Sequence, residues 1–163
     1  MTTDISTYQF NHTMIRVKDP QVSIKFYEEV LGMKLISKSD FPTAKFTLYF
    51  LAYVRESLSE SETERKVYTF GREGVLELTH NWGTESDPEF SYNVNPERRG
   101  FGHLAICVDN IEAACKRFEE LGVKFVKRLQ DGMMKNIAFI ADPDGYQVEI
   151  IPKGIDVTTV SSC

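Results

Sequence analysis

The sequence predicts an α+β protein built from two βαβββ units, and three observations predict it. The first is an internal repeat: FNHTMIRVKDPQVSIKFYEEVLGMKLI, from Phe10, resembles FGHLAICVDNIEAACKRFEELGVKFVK, from Phe101. Phe10, His12 and Val17 match Phe101, His103 and Val108, and after a one-residue difference Gly32 matches Gly122. The second is that the ends of the halves also correspond, GVLELTH containing Glu77 and GYQVEIIP containing Glu149. The third is that apolar residues fall at helical spacing once in each half, with extended segments around them. Each half therefore opens on a histidine strand and closes on a glutamate strand.

The elements follow in order. A strand at about 12–17 leads to Asp19 and Pro20, an N-cap followed by proline in the first helical turn. Val22, Phe26, Tyr27, Val30 and Leu31 continue at helical spacing to Gly32, so the first helix is expected over about 20–31, with Gly32 as its C′ residue. Strands are expected at about 34–39, 45–54 and 74–80. The stretch RESLSESETERK, residues 55–66, is charged and serine-rich without apolar period and reads as an exposed loop inserted in the first half only. In the second half a strand at about 102–108 precedes Asp109 and Glu112, which form a capping box, and Ile111, Ala114, Cys115, Phe118 and Leu121 make the apolar stripe up to Gly122. Strands at about 123–128, 136–142 and 146–151 complete the unit. The units then occupy 8–83 and 99–152, joined by a linker at 84–98 and followed by a tail at 153–163, together one domain.

Composition narrows the function. With 163 residues, against a prior of roughly 150 per domain, the chain makes one domain or two small modules sharing a core. Hydrophobic residues at 42% and charged residues at 26% suit a packed globular protein rather than a disordered chain. A net charge of −5 gives no basic footprint for nucleic acid or anionic lipid. No apolar run reaches the roughly 18 residues of a membrane helix, and MTTDISTYQF has no leader pattern, so a cytosolic location is expected. Cys107, Cys115 and Cys163 are too few and odd in number for a disulfide framework.

Strand side chains alternate with period two, so parity sorts each strand into two faces. His12, Met14 and Arg16 share the face opposite Thr13, Ile15 and Val17; Val75, Glu77, Thr79 and Asn81 share the face opposite Leu76 and Leu78. In the second half His103 and Glu149 likewise oppose the apolar residues of their strands. A lone strand histidine is more often structural than a ligand. A glutamate set among leucines needs a cation or strong donors, because burying an unpaired carboxylate costs several kcal/mol. Two His and two Glu at corresponding positions of a repeat, all in phase, point to a metal. His80 has the opposite parity to Glu77 and is left structural or exposed.

These motifs, FNHTMIRVKDP, FYEEVLGMKLI, KFTLYFLAY, LELTHNWGTE, RRGFGHLAI, CKRFEELGVKFVKR and AFIADPDGYQVEI, resemble those of the lactoylglutathione lyase, or glyoxalase I, family of the vicinal oxygen chelate superfamily, from Phe10 to Pro152. The resemblance implies that the two modules form a half-open barrel around a site where His12, Glu77, His103 and Glu149 coordinate one divalent ion, some relatives having glutamine at the position of His12. Zinc is implied first, from the insertion-bearing form of the chain, with nickel or cobalt next. Glutathione would be held by Arg16, Asn81, Arg99 and Lys127, whose cationic groups suit its two carboxylates. Relatives often carry Lys or Arg at Met133, so one carboxylate contact is either lost or taken over by Lys135. A small apolar pocket would come from Phe41, Leu48, Phe50 and Met134.

The implied reaction isomerises the hemithioacetal of methylglyoxal and glutathione to S-lactoylglutathione through an enediolate stabilised by the metal, with Glu149 as base and Glu77 as the second acid or base. The family also implies a homodimer with sites at the subunit interface, and fungal relatives fuse two such units in one chain. Two alternatives stay open at the level of sequence: another metalloenzyme on the same scaffold, an epimerase, dioxygenase or thiol transferase, and a metal-free module that binds a small molecule.

Overall fold

The structure is a computed structural model, and it describes residues 3–92 and 100–154. These fall into two compact units, dividing between Tyr92 and Asn93. In the first, β1 (His12–Arg16) is followed by α1 (Pro20–Lys25), β2 (Lys34–Phe41), β3 (Phe46–Ala52), α2 (Glu62–Phe70) and β4 (Val75–Asn81). The second has β5 (His103–Val108), α3 (Ile111–Glu120), β6 (Phe125–Lys127), β7 (Ala138–Ala141) and β8 (Gln147–Pro152). Both sheets have one order, first strand, fourth, third, second: β1-β4-β3-β2 and β5-β8-β7-β6. In each, the first strand runs parallel to the last, and the other pairings are antiparallel. The expected α+β architecture is what the chain adopts. Among the described residues no helix is long and apolar enough to cross a membrane.

Parity predicted part of the core; Phe50 and Val75, on the face of Glu77, are buried too, and Leu104 and Ile106 are only half-buried. Ile15, Val17, Leu51, Leu76 and Leu78 are buried on one face of the first sheet, and Val148 and Ile150 on the matching face of the second. Each such side chain withdrawn from water contributes about 1.5–3 kcal/mol.

The helices depart from expectation in three places. The first is expected as a continuous α-helix, but α1 ends at Lys25 and the chain continues as a π-helical turn, Phe26–Val30, that buries Tyr27. His12 to Gly32 is one residue longer than His103 to Gly122, and the wide turn absorbs that residue. The closures show it. Gly122 and Val123 donate to Glu119 and Phe118 carbonyls at 3.0 and 2.9 Å, a Schellman closure with Gly122 at φ +69°. Gly32 and Met33 donate instead to Glu28 and Tyr27, each at 3.0 Å and each one residue further back, with Gly32 at φ +76°.

The second departure is the cap of α3. Asn110, not the expected Asp109, is the N-cap, its Oδ1 accepting from the Ala113 amide at 2.9 Å, while Asp109 Oδ1 accepts from the Asn110 amide at 2.8 Å. The third is the stretch 55–66, expected as an exposed loop. Its last five residues begin α2, started by Ser61, whose hydroxyl accepts from the Glu64 amide. The helix lies against β2, where a bulge between Leu35 and Ser37 leaves two carbonyls that Arg65 takes, Nη2 to Leu35 O at 2.7 Å and Nε to Ile36 O at 2.6 Å. Thr69 and Ser37 share a hydroxyl hydrogen bond of 2.7 Å beneath it. The inner face of α2 is thus partly polar, which is why no apolar stripe announced it. Beside it, Ile36, Phe50, Ala52 and Val75 form a core cluster, with Leu58 and Tyr68 packed on it.

The cap assignment can be checked by chemical denaturation. Asn110→Ala should lower stability by about 1 kcal/mol, whereas Asp109→Ala should cost clearly less. The reverse ranking would restore Asp109 as the cap.

Candidate active site

Glu77 and His12 are brought together by the strand register. In the parallel β1/β4 pair Glu77 sits opposite Met14, two residues beyond His12 and therefore on the same face. His12 Nε2 lies 3.0 Å from Glu77 Oε2, and Thr79 Oγ1 donates to Glu77 Oε1 at 3.1 Å. The second unit repeats the arrangement: Glu149 sits opposite Ala105, two residues beyond His103, and His103 Nε2 lies 3.2 Å from Glu149 Oε2. The neighbouring strand repeats as well. Phe50 pairs with Glu77 and turns its ring edge to His12 at 6.0 Å; Phe139 pairs with Glu149 and does the same to His103 at 5.3 Å. In both pairs the histidine is the more open member, with 34% of the His12 side chain and 42% of the His103 side chain exposed against 11% and 18% for the carboxylates. The carboxylate is set deep and the imidazole faces outward.

His12 has a further partner. Its Nδ1 lies 2.7 Å from Asn11 Oδ1. With Nδ1–H given to that oxygen, Nε2 is the ring nitrogen that faces Glu77, and a ring nitrogen beside a carboxylate oxygen can serve as a donor set for a cation. Imidazole nitrogen with carboxylate oxygen suits zinc, nickel or cobalt. Each unit gathers two of the four predicted ligands; among the described residues no group of three or more His, Cys, Asp or Glu side chains collects at one point.

The remaining predicted residues divide. Arg16 and Asn81 are together on the ligand face, Arg16 Nη1 donating to Asn81 Oδ1 at 2.7 Å. Arg99 lies outside the described residues. Lys127 Nζ donates to the carbonyls of Met134 at 2.6 Å, Ile137 at 2.8 Å and Arg128 at 3.2 Å, which occupies all three of its hydrogens. In the loop it holds, Met133, Met134 and Lys135 are exposed. Of the apolar set, Leu48 and Phe50 share the face of Glu77 through their pairing with Thr79 and Glu77, and Phe41 stacks on Phe46 at 4.6 Å, next to Asn81 in register. Phe70 of α2, which the sequence did not single out, stands edge-on to Phe50 at 5.4 Å and remains largely exposed. Asn11, Thr79 and Phe139 were also missed as neighbours of the ligands; the parity of Thr79 with Glu77 was the available signal. His80, on the other face, is buried with Nε2 at 2.7 Å from Glu85 Oε2. Main-chain amides and His80 hold the Glu85 carboxyl below its ordinary range.

Two four-stranded sheets of one topology, each closing on a His–Glu pair, define the class. The chain belongs to the Glyoxalase/Bleomycin resistance protein/Dioxygenase superfamily, which it matches over residues 9–150. It is 56% identical over 150 residues to the lactoylglutathione lyase of Pseudomonas aeruginosa, covering 91% of this chain and 85% of that one. It is 54% identical to the lactoylglutathione lyase of Schizosaccharomyces pombe over 91% of this chain and 46% of that one, so it spans about half of the fungal protein. A solved structure of the trypanothione-dependent glyoxalase I of Leishmania major is similar at a TM-score of 0.68, with 34% identity over 90% of this chain and 88% of that one. Within the superfamily the chain therefore falls among the lactoylglutathione lyases, as the motifs implied.

The hydrogen bonds of Lys127 make it a clamp on the segment 128–137. Lys127→Met should ease local opening there by about 1.5–3 kcal/mol, read as faster amide hydrogen exchange confined to that segment. Unchanged exchange with a raised KM for a glutathione adduct would assign the ammonium to substrate instead.

Proposed function

We propose that the chain isomerises the hemithioacetal of methylglyoxal and glutathione to S-lactoylglutathione, removing methylglyoxal, with a divalent ion shared by His12, Glu77, His103 and Glu149. The observation that carries this is the duplicated His–Glu pair, in the same register and backed by the same phenylalanine in both units, in a chain 56% identical to a lactoylglutathione lyase. The donor set suits zinc, nickel and cobalt alike, and the insertion-bearing form of the chain puts zinc first.

The reaction moves a proton from the carbon bearing sulfur to the neighbouring carbon, leaving oxidation balanced within the substrate and needing no nicotinamide or flavin. The divalent ion, when bound, supplies positive charge that stabilises negative charge on the two substrate oxygens. Glu149 takes the proton and Glu77 serves as the second acid or base; the greater exposure of Glu149 suits the group that must reach substrate. Arg16, Asn81 and Arg99 hold the polar groups of glutathione, Asn81 keeping the Arg16 guanidinium aimed along the ligand face. Leu48, Phe50 and Phe41, with Met134, supply apolar surface for the methyl group. Lys127 contributes by holding the Met134 loop. A homodimer with sites at the subunit interface and a cytosolic location complete the proposal, the latter supported by the free thiols of Cys107 and Cys115.

The test is thioester formation from the hemithioacetal, abolished by extended chelation and restored by zinc, nickel or cobalt. In that assay Glu149→Gln should retain the ion and lose about 10²–10⁴-fold in kcat, since the amide can coordinate but cannot accept the proton. Near-normal turnover by metal-loaded Glu149→Gln, beside an inactive Glu77→Gln, would exchange their roles; full activity of metal-free protein would refute the proposal.

A further inference from the structure

We propose that Asn11 is a positioning residue for the metal site, fixing the tautomer and ring plane of His12 and coupling that ligand to α2. The inference rests on the reading of His12 as a ligand. The orientation of the Asn11 amide is determined by its other partners. Asn11 Nδ2 donates to Thr69 O at 2.9 Å and to Arg72 O at 2.7 Å, and a carbonyl can only accept. The atom facing His12 is therefore Oδ1, also an acceptor, at 2.7 Å from Nδ1. Nδ1 must carry a hydrogen, which leaves Nε2, 3.0 Å from Glu77 Oε2, as the nitrogen available to an ion. An imidazole free to choose its tautomer would spend part of its population with a hydrogen on the coordinating nitrogen; Asn11 removes that population before any ion arrives.

The same amide closes the end of α2. The carbonyls of Thr69 and Arg72 lie in and just beyond its final turn, where helix carbonyls lack intrahelical partners, and the two hydrogens of Asn11 Nδ2 satisfy them. The backbone of Asn11 is also held, its carbonyl accepting from the Val75 amide at 3.1 Å at the start of β4. Asn11 thus joins three parts of the first unit: the entry to β1, the end of α2 and the start of β4. Among the described residues the second unit has no equivalent. Gly102 stands where Asn11 does, and β7 passes to β8 without a helix. The two His–Glu pairs are alike in register but not in support: His12 is oriented before the ion binds, whereas among the described residues His103 has no such device. The insertion that appears only in the first half thereby has a role at the site through Asn11, beside the contact of Phe70 with Phe50.

Two variants separate the two roles. Asn11→Ala can neither accept from Nδ1 nor donate to the carbonyls of α2; Asn11→Asp can still accept from Nδ1 but offers nothing to Thr69 and Arg72. Zinc affinity, measured on the full-length protein by competition with a chromophoric chelator, should fall on the order of 10–100-fold in Asn11→Ala and stay within a few-fold of wild type in Asn11→Asp. Amide exchange over 62–72 should accelerate in both variants, and zinc should slow it in the wild type more than in either. Wild-type zinc affinity in Asn11→Ala, or a loss in Asn11→Asp as large as in Asn11→Ala, would overturn the positioning role. A wild-type protein that binds no zinc, nickel or cobalt would overturn the metal reading itself, which keeps the two failures apart.

Discussion

The parallel pairing of β1 with β4, and of β5 with β8, decides where every group of the site can stand. A parallel pair cannot be joined by a tight turn, so each chain segment must leave by a helix and return through two further strands before its last strand reaches the first. In exchange, residues far apart in sequence become neighbours: Glu77 lies opposite Met14 and Glu149 opposite Ala105, each two residues from a histidine on the same face. A slip of one residue in either pairing would carry the carboxylate to the face of Leu78 or Ile150, into a core that offers it nothing. β4 is buried on both faces, so what opposes the slip is chemical: Leu76 and Leu78 sit in the apolar core, while Glu77 meets Thr79 and His12 on the other face.

Glu77 shows how an apolar sheet tolerates a buried carboxylate. Only 8% of the residue is exposed, yet one oxygen accepts from Thr79 and the other meets His12. Removing the partners of such a group leaves a desolvated charge, which costs several kcal/mol. The cation proposed above, shared with His12 and the second pair, would answer that cost and supply the chemistry together. The halves then diverge around the common pair. The first covers one end of its sheet with α2 and ties Asn11 to it; the second has the loop 128–137, held by Lys127.

Much of this was legible in the sequence because the two signals involved are periodic. The repeat of FNHTMIRV in FGHLAICV reveals two copies of one unit, and period-two parity assigns His12, Glu77, His103 and Glu149 to their face without any knowledge of pairing. What escaped is what depends on non-periodic contacts. α2 escaped because Arg65 and Thr69 face inward to bulge carbonyls and a serine, so its inner stripe is not apolar; the Ser61–Glu64 spacing was the trace it left. The π turn escaped because a single extra residue leaves the apolar pattern nearly unchanged. Asn110 and Asp109 are equally good caps on paper and only geometry chooses between them. Asn11 carried no signal, since its role arises from carbonyls about 60 residues later.

The central claim is that the two His–Glu pairs hold one ion in common, and metal stoichiometry in half-site deletions tests it most directly. Protein carrying His12→Ala with Glu77→Ala, and protein carrying His103→Ala with Glu149→Ala, would each be dialysed against excess zinc and then against buffer, and metal and protein would be quantified together. A shared ion requires that either deletion remove essentially all of the bound zinc that the wild type retains, because each deletion takes away half of the ligands of that one ion. Retention of about half of the wild-type zinc by each protein would mean that each pair binds an ion of its own, and the account would fail.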